Sequence, residues 1–217
     1  MRYEKVRKAR FLERLNRFSA VAELADRKEP VHVKNTGRLG ELLLPGATVY
    51  LAEACGEGRK TKYDLVAVEG PDGKLFNIDS TAPNRAMREY LGSQGFDRVI
   101  PEFRYGASRL DFYMRRGEKE YLTEVKGCTL VRDGIGYFPD APTVRGARHL
   151  RELAAAARSG IVASAAFVIQ TENVFEVRPN IRTDPAFARA WREAEEAGVI
   201  FEMHPTMVSP EGMTILR

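Results

Sequence analysis

The chain has 217 residues, 44% hydrophobic and 29% charged, the balance of a soluble globular protein with length for one large or two small domains. It has no apolar run near the length of a membrane helix, and its basic start "MRYEKVRKAR" is not followed by the apolar segment of a secretory signal. The net charge of +4 permits a nucleic acid as partner without demanding one, and two cysteines, Cys55 and Cys128, read as reduced thiols of a cytoplasmic protein.

The charge is uneven. Arg2, Lys5, Arg7, Lys8, Arg10, Arg14 and Arg17 crowd the first 17 residues against Glu4 and Glu13. Such a cluster either follows a phosphate backbone or forms a solvated basic edge. Residues 11–24 fit a helical stripe through Phe11, Leu15 and Phe18, and equally the strand parity of Leu12, Phe18, Ala20, Ala22 and Leu24. Short β units follow: "VHVKN" before the turn "NTGR", "ATVYLAEA" after Pro45-Gly46, "KYDLVAVEG" before "PDG", and "KLFNI". Several short strands with Gly/Pro turns predict a small β barrel. The texture changes near residue 81. "STAPNRAMREYLGSQG" predicts a helix stopped at Gly92, and strands then mix with helices over "APTVRGARHLRELAAAARSG" and "DPAFARAWREAEEAG". This places a barrel domain at 1–81 and a mixed α/β domain at 82–217.

The segment "RLDFYMRRGEKEYLTEVKG" reads as a hairpin. A four-residue loop at 116–119 pairs Arg115 with Glu120 and sets Asp111 opposite Glu124. Lys126 shares the Glu124 face because strand side chains alternate, while Leu110, Phe112, Thr123 and Val125 take the other. Two carboxylates at that spacing repel, so one takes up a proton or a cation neutralises them. Asp, Glu and Lys together suit metal-assisted phosphodiester cleavage. Mg²⁺ or Mn²⁺ would sit on Asp111 and Glu124 with an added acid from Glu89 or Glu102, and Lys126 would orient water or offset charge. Most E-x-K pairs on strands are solvated surface charges; the correctly spaced Asp111, the apolar flanks and the mixed α/β context favour a site here.

Elsewhere, Lys34 and Arg38 in "VHVKNTGR" are candidate phosphate contacts in what is also an ordinary turn. In "GIGYFPDAPTVRGARHL", Gly134 and Gly136 allow close backbone approach, Asp140 or Thr143 caps the next helix, and Arg145 and Arg148 could reach a phosphate. His149 reads as a packing residue, and Phe187 and Trp191 as core.

The segments "HVKNTGRL", "LLLPGATVYL", "DLVAV", "NIDSTAPN", "LDF", "EVKGCTLV", "GIGYFPDAPTVRGARHL" and "FVIQ" resemble, in order and over nearly the whole chain, the sugar fermentation stimulation protein A (SfsA) family. The resemblance implies an α+β protein of two domains: an N-terminal OB-like β barrel and a C-terminal domain of the PD-(D/E)xK nuclease type. It decides residues 11–24 in favour of strand. It also implies DNA binding and a regulatory role in sugar, notably maltose, metabolism; with the N-terminal basic cluster, the expected partner is double-stranded DNA bound largely independently of sequence. The nuclease pattern falls on Asp111, Glu124 and Lys126, with Leu110 where relatives carry proline, and Gln170 resembles a polar residue on the next strand. Arg7, Lys8, Arg10, Lys34, Arg38 and Arg145 are the expected DNA contacts; a homodimer is compatible with the sequence.

Overall fold

The structure is a computed structural model that describes residues 1–54 and 58–216. Cys55 lies outside the described residues, so the reading of two reduced thiols is addressed only for Cys128, which is free and buried.

The first domain is built from β1 (Val6–Arg14), β2 (Ser19–Leu24), β3 (Arg27–Val33), β4 (Thr48–Glu53), β5 (Tyr63–Glu69) and the short β6 (Leu75–Asn77). The strand order β3-β2-β1-β4-β5-β6 is closed by a parallel β3–β5 pairing, so five strands form an OB barrel and β6 extends its edge. Inward positions alternate with solvated ones, and small Ala20 and Ala22 leave room for Phe11, Val31, Val49 and Leu51 in the interior. Register shifts in β1 between Phe11 and Glu13, and between β4 and β5 at Tyr50/Leu51, supply the bends that closure needs. Residues 11–24 are therefore strand, but as two strands separated by a turn at 15–18 rather than one.

The second domain begins with α1 (Ala82–Gly92), followed by β7 (Arg98–Tyr105), β8 (Ser108–Arg116) and β9 (Lys119–Cys128). The short strands β10 (Val131–Arg132) and β11 (Ile135–Phe138) lead to α2 (Val144–Arg158). Then come β12 (Val162–Ile169), β13 (Val177–Pro179), α3 (Pro185–Glu196), β14 (Ile200–His204) and the hairpin of β15 (Thr206–Ser209) and β16 (Gly212–Ile215). The central sheet has the order β14-β12-β9-β8-β7; its β9–β12–β14 half is parallel and its β7–β8–β9 half antiparallel. The crossovers through α2 and α3 bury one face of the sheet over Leu122, Ala163, Ala165 and Phe167. α1 and the β15–β16 hairpin cover the other, over Phe112, Met114, Val125 and Ala166. Each long crossover helix has its own start signal. Thr143 Oγ1 accepts the Gly146 amide at 2.9 Å, and Asp184 accepts the Phe187 amide at 2.9 Å. Phe187 and Trp191 are core, as their helical spacing suggested.

Two seams join the domains. Gln170, at the end of β12, donates through Nε2 to the Asn77 carbonyl at 2.9 Å and returns its own carbonyl to the Asn77 amide at 2.9 Å. The other seam is the start of the chain: Arg2 bridges Gly212, and Met1 is 3% exposed in the core beneath α1. Residues 1–3 thus pack with the second domain although the sequence reading counted them with the barrel. Among the described residues, no helix is long and apolar enough to cross a membrane.

Candidate functional site

The β8–β9 hairpin turns tightly. Arg116 pairs with Lys119, so Gly117 and Glu118 alone make the turn, and Gly117 takes the left-handed φ of 59° that such a turn requires. The loop is two residues shorter than expected, yet Arg115 still opposes Glu120 and Phe112 opposes Thr123. The next position in the same register sets Asp111 beside Glu124.

The alternation fails at one place. Leu110 was expected on the face of Phe112, Thr123 and Val125, but it packs with Leu122 under α2 and α3, whereas Phe112 and Val125 pack under α1. On the neighbouring strand Val99 and Phe103 divide in the same way. Glu102, between them, has a φ of 56°, and the β7–β8 register brackets Glu102 and Asp111 without pairing them. A left-handed residue inside a strand turns the following side chains to the other face. Asp111 therefore sits at the pivot of a kink in the sheet. Glu102 is inside a strand that the sequence reading did not anticipate, and its carboxylate turns to Arg109 at 2.8 Å.

At this pivot Asp111 accepts from the Asn84 amide of α1 at 2.7 Å and from the Val125 backbone N–H at 2.8 Å. Burial, and after it the charge of Glu124, push its carboxyl up to about 6, against the pull of Lys126 and the two hydrogen bonds. Glu124 is 4% exposed. One of its oxygens, Oε1, takes Lys126 Nζ at 2.5 Å and His149 Nδ1. Burial alone would raise Glu124, but the Lys126 charge and the His149 hydrogen bond outweigh it and hold the carboxyl below its ordinary value. Arg145 Nε donates to His149 Nε2 at 3.3 Å, which leaves Nδ1–H to donate to Glu124. His149 is thus buried as expected of a packing residue, but it packs as a hydrogen-bonded link between α2 and the site. Its spacing of four from Arg145 on one helix was the available signal.

The other Glu124 oxygen, Oε2, is buried without a hydrogen-bond partner. A buried anionic oxygen left bare is costly. Together with a neighbouring carboxyl that burial and the Glu124 charge push toward its protonated form, it marks a place short of positive charge. Those two carboxylates fit a hard divalent cation that completes its shell with water. They have no third acid: among the described residues no group of three or more His, Cys, Asp or Glu side chains could hold a metal ion. Glu89 does not join them. It lies on α1 with a largely exposed carboxylate, 2.6 Å from the Met1 amino group.

The expected nucleic-acid contacts divide into matched and unmatched cations. On the barrel, Arg7 lies 3.8 Å from Glu53, Lys8 3.7 Å from Glu69 and Arg10 2.7 Å from Glu23. All three stay more than half exposed, but each faces a carboxylate: Arg7 and Arg10 on the strands next to β1, and Lys8 across β4 on β5. Arg14 is not part of a free patch: it binds the carbonyls of Asn16, Arg17, Asn35, Gly37 and Arg38, and burial lowers its pKa. Lys34 is held by Asp64 at 3.0 Å and Asp79 at 3.3 Å, so its charge is spent inside the protein. Arg38, Arg145 and Arg148 are exposed and, among the described residues, belong to no ion pair. Asn35, Ser80, Gly127, Asp140 and Gln170 line a polar cleft of about 170 Å³ where the domains meet, one residue beyond Lys126.

Comparison with known proteins agrees along the chain. Residues 12–78 match the family model for the SfsA N-terminal OB domain, and residues 81–212 the model for the sugar fermentation stimulation protein RE domain. A sugar fermentation stimulation protein homolog of Desulfitobacterium hafniense is 45% identical over 202 residues, covering 92% of this chain and 88% of the relative. That of Acetivibrio thermocellus is 47% identical over 199 residues, covering 88% and 85%. Among solved structures, Pyrococcus furiosus SfsA in complex with Ca²⁺ superimposes with a TM-score of 0.87 at 32% identity, covering 99% of this chain and 95% of that one. The chain belongs to the sugar fermentation stimulation protein family.

Proposed function

We propose that this protein binds double-stranded DNA, largely independently of sequence, and holds Mg²⁺ or Mn²⁺ on Asp111 and Glu124, in a cytoplasmic role in regulating sugar, notably maltose, metabolism. One observation carries the metal assignment: the bare, buried Oε2 of Glu124 beside an Asp111 carboxyl pushed up to about 6. Binding of a cation would satisfy both. The Ca²⁺ of the Pyrococcus furiosus relative supports a divalent ion in this family. The DNA assignment rests on the OB barrel, on the exposed cations Arg7, Lys8, Arg10, Arg38 and Arg145, and on a polar interdomain cleft that begins next to Lys126.

Lys126 favours a second reading, metal-dependent hydrolysis of a phosphodiester. Its side chain is only 10% exposed, and its ammonium is fixed 2.5 Å from Glu124. There it can hold an attacking water or offset charge on a phosphate. When bound, the metal lowers the pKa of a coordinated water and offsets phosphate charge. His149 holds Glu124 in place from the opposite side, and Asn84 does the same for Asp111. The deciding experiment incubates purified protein with double-stranded DNA and Mg²⁺ or Mn²⁺ beside the Glu124→Gln protein, following gel retardation and cleavage together. Retardation by both proteins with Mn²⁺ uptake by wild type alone supports a DNA-binding protein with a metal site. Cleavage by wild type alone establishes the second reading. Cleavage equal in both points to a contaminating nuclease.

A further inference from the structure

The central sheet of the second domain is covered unequally. α2 and α3 both lie on one face, but the other carries α1 and the terminal hairpin, and between these a cleft of about 860 Å³ remains. Small-molecule sites span about 300–1,000 Å³ and are mostly apolar with a few placed polar groups. The floor here crosses four strands, from Met114 on β8 through Tyr121 on β9 and Val162 on β12 to Ile200 on β14. Three strand spacings of about 4.8 Å make that span roughly 14 Å. Midway, Thr123 and Ser164, only 3% and 4% exposed, join their hydroxyls at 2.8 Å. Their mutual bond uses one hydroxyl proton and leaves the other free to donate.

The two ends of the cleft differ in charge. At the β14 end the Glu202 carboxylate accepts from His204 Nε2 at 3.0 Å. Arg116, at the other end, stacks 4.6 Å over the Phe96 ring and donates to the Gln94 carbonyl. Among the described residues it meets no carboxylate within ion-pair distance. The cleft therefore offers one unmatched positive charge at its mouth, an apolar trough and one hydroxyl donor in the middle. Ile200, 49% exposed, forms its lip.

We propose that this cleft binds a small monoanionic amphiphile: a carboxylate on Arg116, an aryl or alkyl body over Met114, Val162 and Ile200, and an oxygen along that body facing the Thr123–Ser164 pair. A planar guanidinium on an aromatic ring is a preorganised carboxylate fork. Thr123 and Ser164 are only 3% and 4% exposed, so a small ligand reaches their hydroxyl pair more readily than a protein surface does. The cleft lining includes neither Asp111 nor Glu124, so the ligand would touch neither carboxylate of the metal centre.

The test is calorimetric titration of the full chain with 4-butoxybenzoate, beside its cationic counterpart, (4-butoxyphenyl)trimethylammonium. One benzoate should bind per chain, and the cation should not. Arg116→Glu and Ile200→Asp change exposed positions, so both should melt as wild type does by circular dichroism. Each should weaken the benzoate tenfold or more, Arg116→Glu by the worth of a charge-assisted hydrogen bond and Ile200→Asp by lost apolar contact and repulsion of the anion. Unchanged affinity in Arg116→Glu, or equal binding of the cation, overturns the proposal. So does a ligand-free dimer in sedimentation that Ile200→Asp dissociates, because the cleft would then be covered by a second copy.

Discussion

Strand β1 of the barrel and the β8–β9 hairpin carry charge in opposite ways. On β1, Arg7, Lys8 and Arg10 are exposed and each faces a carboxylate of another barrel strand, so the densest positive run in the sequence is largely balanced in place. On the hairpin, a few charges are buried, and positive charge falls short: Lys126 and His149 both reach one oxygen of Glu124 while the other stays bare. Exposed, matched charge is screened and weak. Buried, incompletely matched charge shifts protonation equilibria and calls for a ligand. Local density of charge therefore points away from the chemistry here, and scarcity of compensation points toward it.

The sharpest way to break this contrast is Glu124→Ala. It would leave Lys126 and His149, 10% and 2% exposed at their side chains, facing an emptied site. Removing one member of a buried charge network typically costs about 3–5 kcal/mol, and urea unfolding should show a loss of that size. Replacing Lys126 by Met in the same protein should recover part of it, since no cation is then stranded. A loss below about 1 kcal/mol would mean that water reaches the network and that the hairpin is no different from the barrel surface.

Asp111→Asn should act in the other direction. The folded carboxyl titrates at about 6 against an ordinary value of 3.8, so the folded state binds its proton more tightly. That contribution to stability is complete below pH 3.8, falls as pH rises through 6, and is absent above it. At neutral pH an amide, which never ionises, should therefore stabilise the protein by about 1–3 kcal/mol. One amide group can accept from Val125 N–H and donate to a flipped Asn84. The gap to wild type should close below pH 4, and it should also narrow when Mn²⁺ is added to wild type. A stability difference independent of pH would show that Asp111 is not held in a region short of positive charge.

The barrel side of the comparison is tested by unmatching its cations. Neutralising Glu23, Glu53 and Glu69 together as glutamines frees Arg10, Arg7 and Lys8. DNA affinity at low salt should rise severalfold, and the slope of log K against log salt should steepen by about 0.9 for each new phosphate contact. Arg38→Ala, which removes an exposed cation outside the ion pairs, should flatten that slope by about one contact. If the triple variant leaves both affinity and slope unchanged, this strand is not part of the DNA surface.

Periodicity exposed much of this architecture and missed the rest for definite reasons. Barrel strands β3 to β6, the helix from Ala82 and the capped helices announced themselves through alternation, early prolines and cap residues, whereas β1 and β2 fitted a helical stripe equally well and were decided by the family resemblance. The hairpin register was legible because Arg115 opposes Glu120 whether the loop has four residues or two. β7 was not, since Pro101 and charged Arg98, Glu102 and Arg104 disguise a strand whose exposed edge and left-handed Glu102 do not alternate simply. The same kink moved Leu110 to the other core. Glu89 could not be dismissed from sequence, because its partner is the amino group of Met1, far away along the chain. His149 looked like packing because the carboxylate it serves is on a different element.

The smallest expected effect is the one that a count of basic residues would make largest. Arg10 reaches Glu23 through Nε at 3.0 Å and through a terminal nitrogen at 2.7 Å, a well-formed exposed pair. Its geometry is as good as any on the barrel, yet both groups are already hydrated, and ordering two long side chains offsets most of the attraction. Arg10→Ala should lower stability by about 0.2–1 kcal/mol at low salt. At 1 M salt, where the screening length falls to about 3 Å, the difference should vanish. Urea unfolding at the two salt concentrations measures it. A salt-resistant loss above about 2 kcal/mol would show that the pair is effectively buried and that β1 resembles the hairpin.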